Sequence, residues 1–141
     1  MLRNNESLIK LLITKGSVFL NQFDIPEDHK KFFIVAGHCP HKIITCSVFI
    51  NSDIHPVVLR NQFLLNLQVN IKGSKYPFLK HDSFVCCSTP LQITVEKIMK
   101  WTNNGQCKYI GCIDGEDLEN ITETLIGSGL LSEEEIALYF G

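Results

Sequence analysis

The sequence predicts a mostly β fold with some α: a small SH3-like antiparallel barrel of five or six strands, one helix before it and acidic helices after it. Three observations lead there. Short runs of β-branched and aromatic residues recur at roughly even spacing, with turn residues and no long helical segment between them. After Cys112 the pattern changes to capped, amphipathic segments rich in Glu and Asp. A chain of 141 residues, 45% hydrophobic and 20% charged, is long enough to bury one core and unlike a disordered one. One domain over 1–141 is expected, with 16–113 as barrel and 114–141 as the helical acidic end.

The elements follow in order. Leu8, Ile9, Leu11, Leu12 and Ile13 give residues 6–14 a helical spacing, with Asn5 as cap and Gly16 as stop. Residues 18–23 begin the strands, and Asp24-Ile25-Pro26-Glu27-Asp28 reads as a polar turn. Residues 31–36 (KFFIVA) and 43–50 (IITCSVFI) are continuous apolar runs, as strands buried on both faces require. The turn 37–41 separates them, and 51–56 breaks the second. Residues 63–71 (FLLNLQVNI) place Leu65, Leu67, Val69 and Ile71 on one face, the pattern of a half-buried strand. Residues 83–88 make a fifth strand. Residues 92–101 alternate at Ile93 and Val95, yet Ile98, Met99 and Trp101 suit a helix, which is expected from about Thr94. Asp114 caps a helix from Gly115 with Leu118, Ile121 and Leu125 on one face, and Gly127-Ser128-Gly129 ends it. Ser132 and Glu135 spell a capping box before Ile136, Leu138, Tyr139 and Phe140.

Six cysteines without a signal-peptide pattern read as reduced, mostly buried thiols, which points to the cytoplasm. No apolar run reaches membrane-spanning length, so no membrane partner is expected. Charge is unevenly placed. Residues 1–108 hold all 13 Lys and Arg against 7 Asp and Glu, a net of +6, while 109–141 hold 8 acids and no base, a net of −8. A basic body favours a polyanionic partner; the acidic end either serves that partnership or neutralises the body within one fold. Acids crowd both helix starts, where the helix dipole favours them, so part of the acidity is structural.

Several segments, in order, resemble the MazF/PemK-like toxin family. Gly16-Ser17-Val18-Phe19-Leu20 is similar to the family's first strand. Lys31-Phe32-Phe33-Ile34-Val35 stands where the family has Arg-Pro followed by aliphatics. Val48-Phe49-Ile50-Asn51-Ser52 resembles the later strand ending in Thr or Ser. Tyr76-Pro77-Phe78-Leu79-Lys80-His81-Asp82-Ser83-Phe84-Val85 resembles its aromatic turn leading into an Asp-Ser strand start. Lys108-Tyr109-Ile110-Gly111-Cys112-Ile113 and the helix over 116–125 resemble the family's ending. The resemblance implies an SH3-like barrel, usually a homodimer, that cleaves single-stranded RNA without a metal or other cofactor. It also implies an antitoxin protein whose peptide covers the active groove.

Metal-free RNA cleavage needs a group to take the 2′-hydroxyl proton, one to protonate the leaving oxygen, and positive charge on the phosphate. By the resemblance, Lys31 takes the arginine position and Asn51 or Ser52 the Thr/Ser position. His29, beside Lys30 and Lys31, is of the type that does acid–base work, although an exposed turn histidine is the plainer reading, and Lys30 is expected to contact RNA. Lys72, Lys75, Lys80 and His81, with Tyr76 and Phe78 interleaved, suit backbone contact and base stacking on single strands. Phe78 fits a core position equally, and Asp82 and Ser83 fit a turn. His38-Cys39-Pro40-His41 lacks a second ligand pair, so it reads as a turn and not a zinc site.

Lysine is not a neutral replacement for arginine, because it lacks the planar fork that grips a phosphate at two points. The sequence therefore supports two functions: a toxin-like endoribonuclease, or a catalytically impaired barrel that binds protein or RNA without cutting. A third idea is that the acidic helices compete with RNA for a basic surface.

Overall fold

The computed structural model describes residues 4–23 and 30–141, with the side chains of the first helix described from residue 8 onward. Its elements are α1 (Asn4–Leu12), β1 (Ser17–Gln22), β2 (Lys30–His38), β3 (Ile44–Asn51), α2 (Pro56–Leu59), α3 (Gln62–Leu65), β4 (Gln68–Ile71), a 3-10 turn (Gly73–Lys75), β5 (Ser83–Thr94), α4 (Val95–Asn103), β6 (Cys107–Cys112), α5 (Gly115–Gly127) and α6 (Glu133–Phe140). The strands form one six-stranded sheet in the order β4-β5-β3-β2-β1-β6, every pairing antiparallel. Strands β4 and β6 are edges, so the sheet is open and not the closed barrel expected from the strand pattern. The face that a barrel would roll inward is covered instead by α5 and α6.

Alternation along the strands explains the continuous apolar runs. On β2, Ile34 and Ala36 join a core with Val18, Val48, Val85 and the helical residues Ile121, Leu125 and Tyr139. Phe33 and Val35 point the other way, into a second core with Phe19, Ile93, and with Ile9, Ile13 and Ile98 from the α1 and α4 side. Helices on both faces leave no side of β2 for polar residues, so the run loses its period of two. Aromatic rings knit the second core: Phe19 stacks on Phe33 at 5.4 Å between centroids, and Phe23 meets Trp101 edge-on at 5.5 Å.

The expected strand over 63–71 is shorter than the pattern suggests. Only Gln68–Ile71 pairs with β5, and residues before it form the single-turn helices α2 and α3. Local caps decide this: the Val57 N–H donates to His55 Nδ1, Pro56 sits in the first turn, and the Leu64 N–H donates to Asn61 Oδ1. Strand β5 is longer than expected because one stretch pairs with both β4 and β3 and a second with β3 alone. Its Pro90 falls where the β3 register shifts, a place where a strand tolerates a missing donor. The caps at Asp114 and Ser132 hold as read, the second as a complete capping box, and the helix expected from about Thr94 starts at Val95 with Thr94 as its cap. Asn5 lies inside α1 and not before it.

Gly37 shows how closely α6 is docked. A Cβ there would lie 2.7 Å from the Tyr139 carbonyl oxygen and 2.7 Å from a Phe140 ring carbon. Gly37→Ala is expected to destabilise the fold by about 1–3 kcal/mol, the usual cost of overpacking. Urea unfolding measures the loss, and faster amide exchange confined first to α6 identifies its origin.

All six cysteines are free thiols, and all but Cys112 are buried. Burial pushes Cys46 and Cys87 up to about 12 and Cys107 up to about 11, from 9.0. The unfolded chain loses these protons first, so their stabilising contribution is complete below about pH 9 and fades as pH rises toward 11–12. The melting temperature should fall steeply over that window, and Cys87→Ala should lessen the slope. Among the described residues, no helix is long and apolar enough to cross a membrane.

Candidate functional site

At one end of the sheet, no element among the described residues covers the continuation of the face that α5 and α6 cover elsewhere. Its floor is a row of paired residues on three adjacent strands, Leu20, Phe32 and Ile50. Phe78 closes one side, its ring centroid 5.4 Å from that of Phe32. The result is an open cleft of about 940 Å³. Its rim carries Lys30, Lys31, Asn51, Ser52, Lys80 and His81, all expected from the sequence to touch RNA or do its chemistry. These residues come from β2, from the end of β3 and from the loop before β5, and the sheet pairing brings them together. Among the described residues Asp53 is the one acid on the rim, and His55 joins it from the N-cap of α2.

Lys30 and Lys31 leave β2 on opposite faces, as neighbours in a strand must. Lys30 shares the face of Phe32. Lys31 shares that of Phe33, and its ammonium lies 4.4 Å from the centre of the Phe49 ring. One step beyond the Phe32–Ile50 pair, Asn51 is its neighbour on β3. Burial lowers the Lys31 ammonium from its ordinary value, opposed by the thiol of Cys86 on the same face. Burial also works against a Cys86 thiolate, but hydrogen bonds from Ser88 (3.1 Å), Thr89 (3.5 Å) and Gln68 (3.6 Å) outweigh it and hold that thiol below its ordinary value. Across from Lys31 on β1, Asn21 is fully buried, with neither side-chain amide atom partnered among the described residues. An amide left so costs about 1–3 kcal/mol, a cost more often found beside functional sites than in plain core.

Three expected RNA contacts do not reach this cleft. Lys75 is held by Asp114 at 2.5 Å and Asp117 at 3.1 Å. Tyr76 is buried, donates to Asp117 at 2.5 Å and accepts from the Asp114 N–H at 3.0 Å. These two residues anchor α5 to the sheet, so the acidic helix start binds this basic cluster structurally. Lys72 is exposed at the N-cap of the 3-10 turn, away from the cleft lining. His29 and the turn 24–28 lie outside the described residues. In the His38-Cys39-Pro40-His41 turn, His38 Nδ1 donates to the Cys39 carbonyl, and Cys39 Sγ accepts the Ile43 and Ile44 amides. Those bonds shape a turn, and no group of three metal-ligating side chains is gathered among the described residues.

Sequence reasoning missed His55 and Cys86. His55 sits in what reads as a plain break between strands, and only the His-Pro spelling of a helix start signals it. Cys86 reads as a buried strand residue, and nothing local shows the polar groups facing it. No family model matches this sequence, and no curated protein matches it. The cleft's own chemistry must therefore carry the functional reading.

Proposed function

We propose that the chain is a toxin-like, metal-independent endoribonuclease that cleaves single-stranded RNA in the cleft. On this reading the open sheet is a variant of the SH3-like toxin fold. It acts in the cytoplasm as a homodimer, and an antitoxin protein blocks it. One observation carries the proposal: Lys30, Lys31, Asn51, Ser52, Lys80 and His81 share one open cleft with an apolar, partly aromatic floor. Cations on a rim neutralise successive phosphates, and an aromatic floor receives unstacked bases, which together suit a single strand and not a duplex. Lys30 and Lys80 meet the scissile phosphate as its charge grows, with Ser52 at the strand end as a further donor, while Lys31 and Asn51, on the Phe49 face, reach it only by turning round the strand end.

A second reading is binding without cleavage, and the position of Lys31 favours it. Its ammonium is engaged over Phe49, on the opposite face of β2 from Lys30. Incubation of the protein with end-labelled single-stranded RNA in EDTA separates the two. Discrete fragments support the nuclease; retarded but intact RNA, released steeply by salt, supports the binding module. Failure to bind at low salt removes both.

A further inference from the structure

Among the described residues the cleft holds two histidines, with protons fixed in opposite places. His81 Nδ1 lies 2.9 Å from the Asp82 carbonyl oxygen. A carbonyl only accepts, so this nitrogen carries the proton, and Nε2 of the neutral ring is left as a lone pair. His55 is the reverse: its Nδ1 accepts the Val57 N–H at 3.1 Å, so the proton of the neutral ring sits on Nε2. Their capacities differ accordingly. His81 can take a proton at Nε2 and keep its bond to Asp82. His55 cannot gain one at Nδ1 without giving up the cap of α2, so it presents a fixed N–H donor.

The chain around His81 is held from three directions. Ser83 Oγ donates to the His81 carbonyl at 3.2 Å, and the Gly73 N–H donates to Asp82 Oδ1 at 2.9 Å. Gly73 itself packs so tightly that a Cβ there would lie 2.5 Å from the His81 carbonyl carbon. A loop with its ring exposed and its backbone clamped is an arrangement for aiming a side chain.

We infer that His81 is the general base of the cleft, with Gly73, Asp82 and Ser83 as its positioning residues and His55 as a fixed donor to the phosphate. This rests on the RNA-cleavage reading above. His81 Nε2 takes the 2′-hydroxyl proton, and the 2′-oxygen bonds to phosphorus. The bond from phosphorus to the 5′-oxygen breaks, and that oxygen takes a proton from the Lys30 ammonium. The products are a 2′,3′-cyclic phosphate and a 5′-hydroxyl; His81 then returns its proton to water, from which Lys30 regains one.

The test follows cleavage and binding of the same labelled RNA by His81→Ala, with and without added imidazole, and by Gly73→Ala. His81 is exposed, so its variant should fold as the parent does. Loss of a general base lowers the rate about 10²–10⁴-fold, with affinity kept within a few-fold. Imidazole should restore part of the rate to His81→Ala and none to Gly73→Ala, whose histidine is displaced and not missing. Wild-type cleavage matched by His81→Ala overturns this assignment alone, and so does a rate loss fully explained by weaker binding. No cleavage by the wild type overturns both this assignment and the reading it rests on.

Discussion

Lys31→Ala is expected to lower the rate of RNA cleavage about 10²–10³-fold, the usual loss when one donor to a developing oxyanion is removed. The reason lies in its surroundings. Burial lowers the Lys31 ammonium from its ordinary value, so the charge is weakly hydrated. On the nuclease reading it leaves its place over the Phe49 ring and turns round the strand end to the phosphate when RNA binds. RNA affinity should fall far less, because Lys30 and Lys80 still meet the backbone, and the salt slope should drop by about one unit. Lys31→Arg gives the opposite test. A guanidinium stacks on Phe49 as well as an ammonium does and offers two parallel donors, so the rate should be kept or raised. Gel-resolved single-turnover kinetics measure both. Full cleavage by Lys31→Ala would remove Lys31 from the chemistry, and an unchanged salt slope would remove it from the phosphate contact as well.

What could be read from the sequence depended on how local its cause was. The runs over 31–36 and 43–50 announced strands covered on both faces, because the residues themselves alternate between two cores. Asp114 and Ser132 announced helices because their caps bond within three residues. Closure of the sheet depends on whether β4 meets β6, and no local pattern records that. The segment 63–65 misled for another reason. Phe63, Leu64 and Leu65 have strand-like chemistry, but the cap at Asn61 outweighs propensity over a single turn. The site divides the same way. Lys30 and Lys31 at one strand end and Asn51 and Ser52 at the next had to meet once the strands paired. Lys75 and Tyr76 looked like nucleic-acid contacts only because their acidic partner lies about forty residues onward, on α5.

That partner sets the largest expected loss of stability. Asp117 is 5% exposed, and its Oδ2 receives both the Tyr76 hydroxyl and the Lys75 ammonium. Tyr76 passes the network on by accepting the Asp114 N–H, so the first turn of α5 is bonded to the loop ahead of β5. Removing the carboxylate leaves a buried hydroxyl without its acceptor and deprives the ammonium of one of its two partners. Asp117→Ala should therefore destabilise the protein by about 2–4 kcal/mol, more than the net worth of any one bond, because the stranded group bears the penalty. Asp117→Asn keeps an acceptor for Tyr76 and should lose less. Tyr76→Phe should be milder still, and combined with Asp117→Ala should cost less than the sum of the two, since the two changes remove one shared bond. Lys75 holds the Asp114 carboxyl below the usual carboxylate range, so that pair's contribution is complete above the range and lost as pH falls through the lowered value. Urea unfolding of the wild type and the four variants at neutral and acidic pH measures all of this. Additive losses would mean that Asp117 and Tyr76 act separately, and α5 would then be held by its apolar face alone.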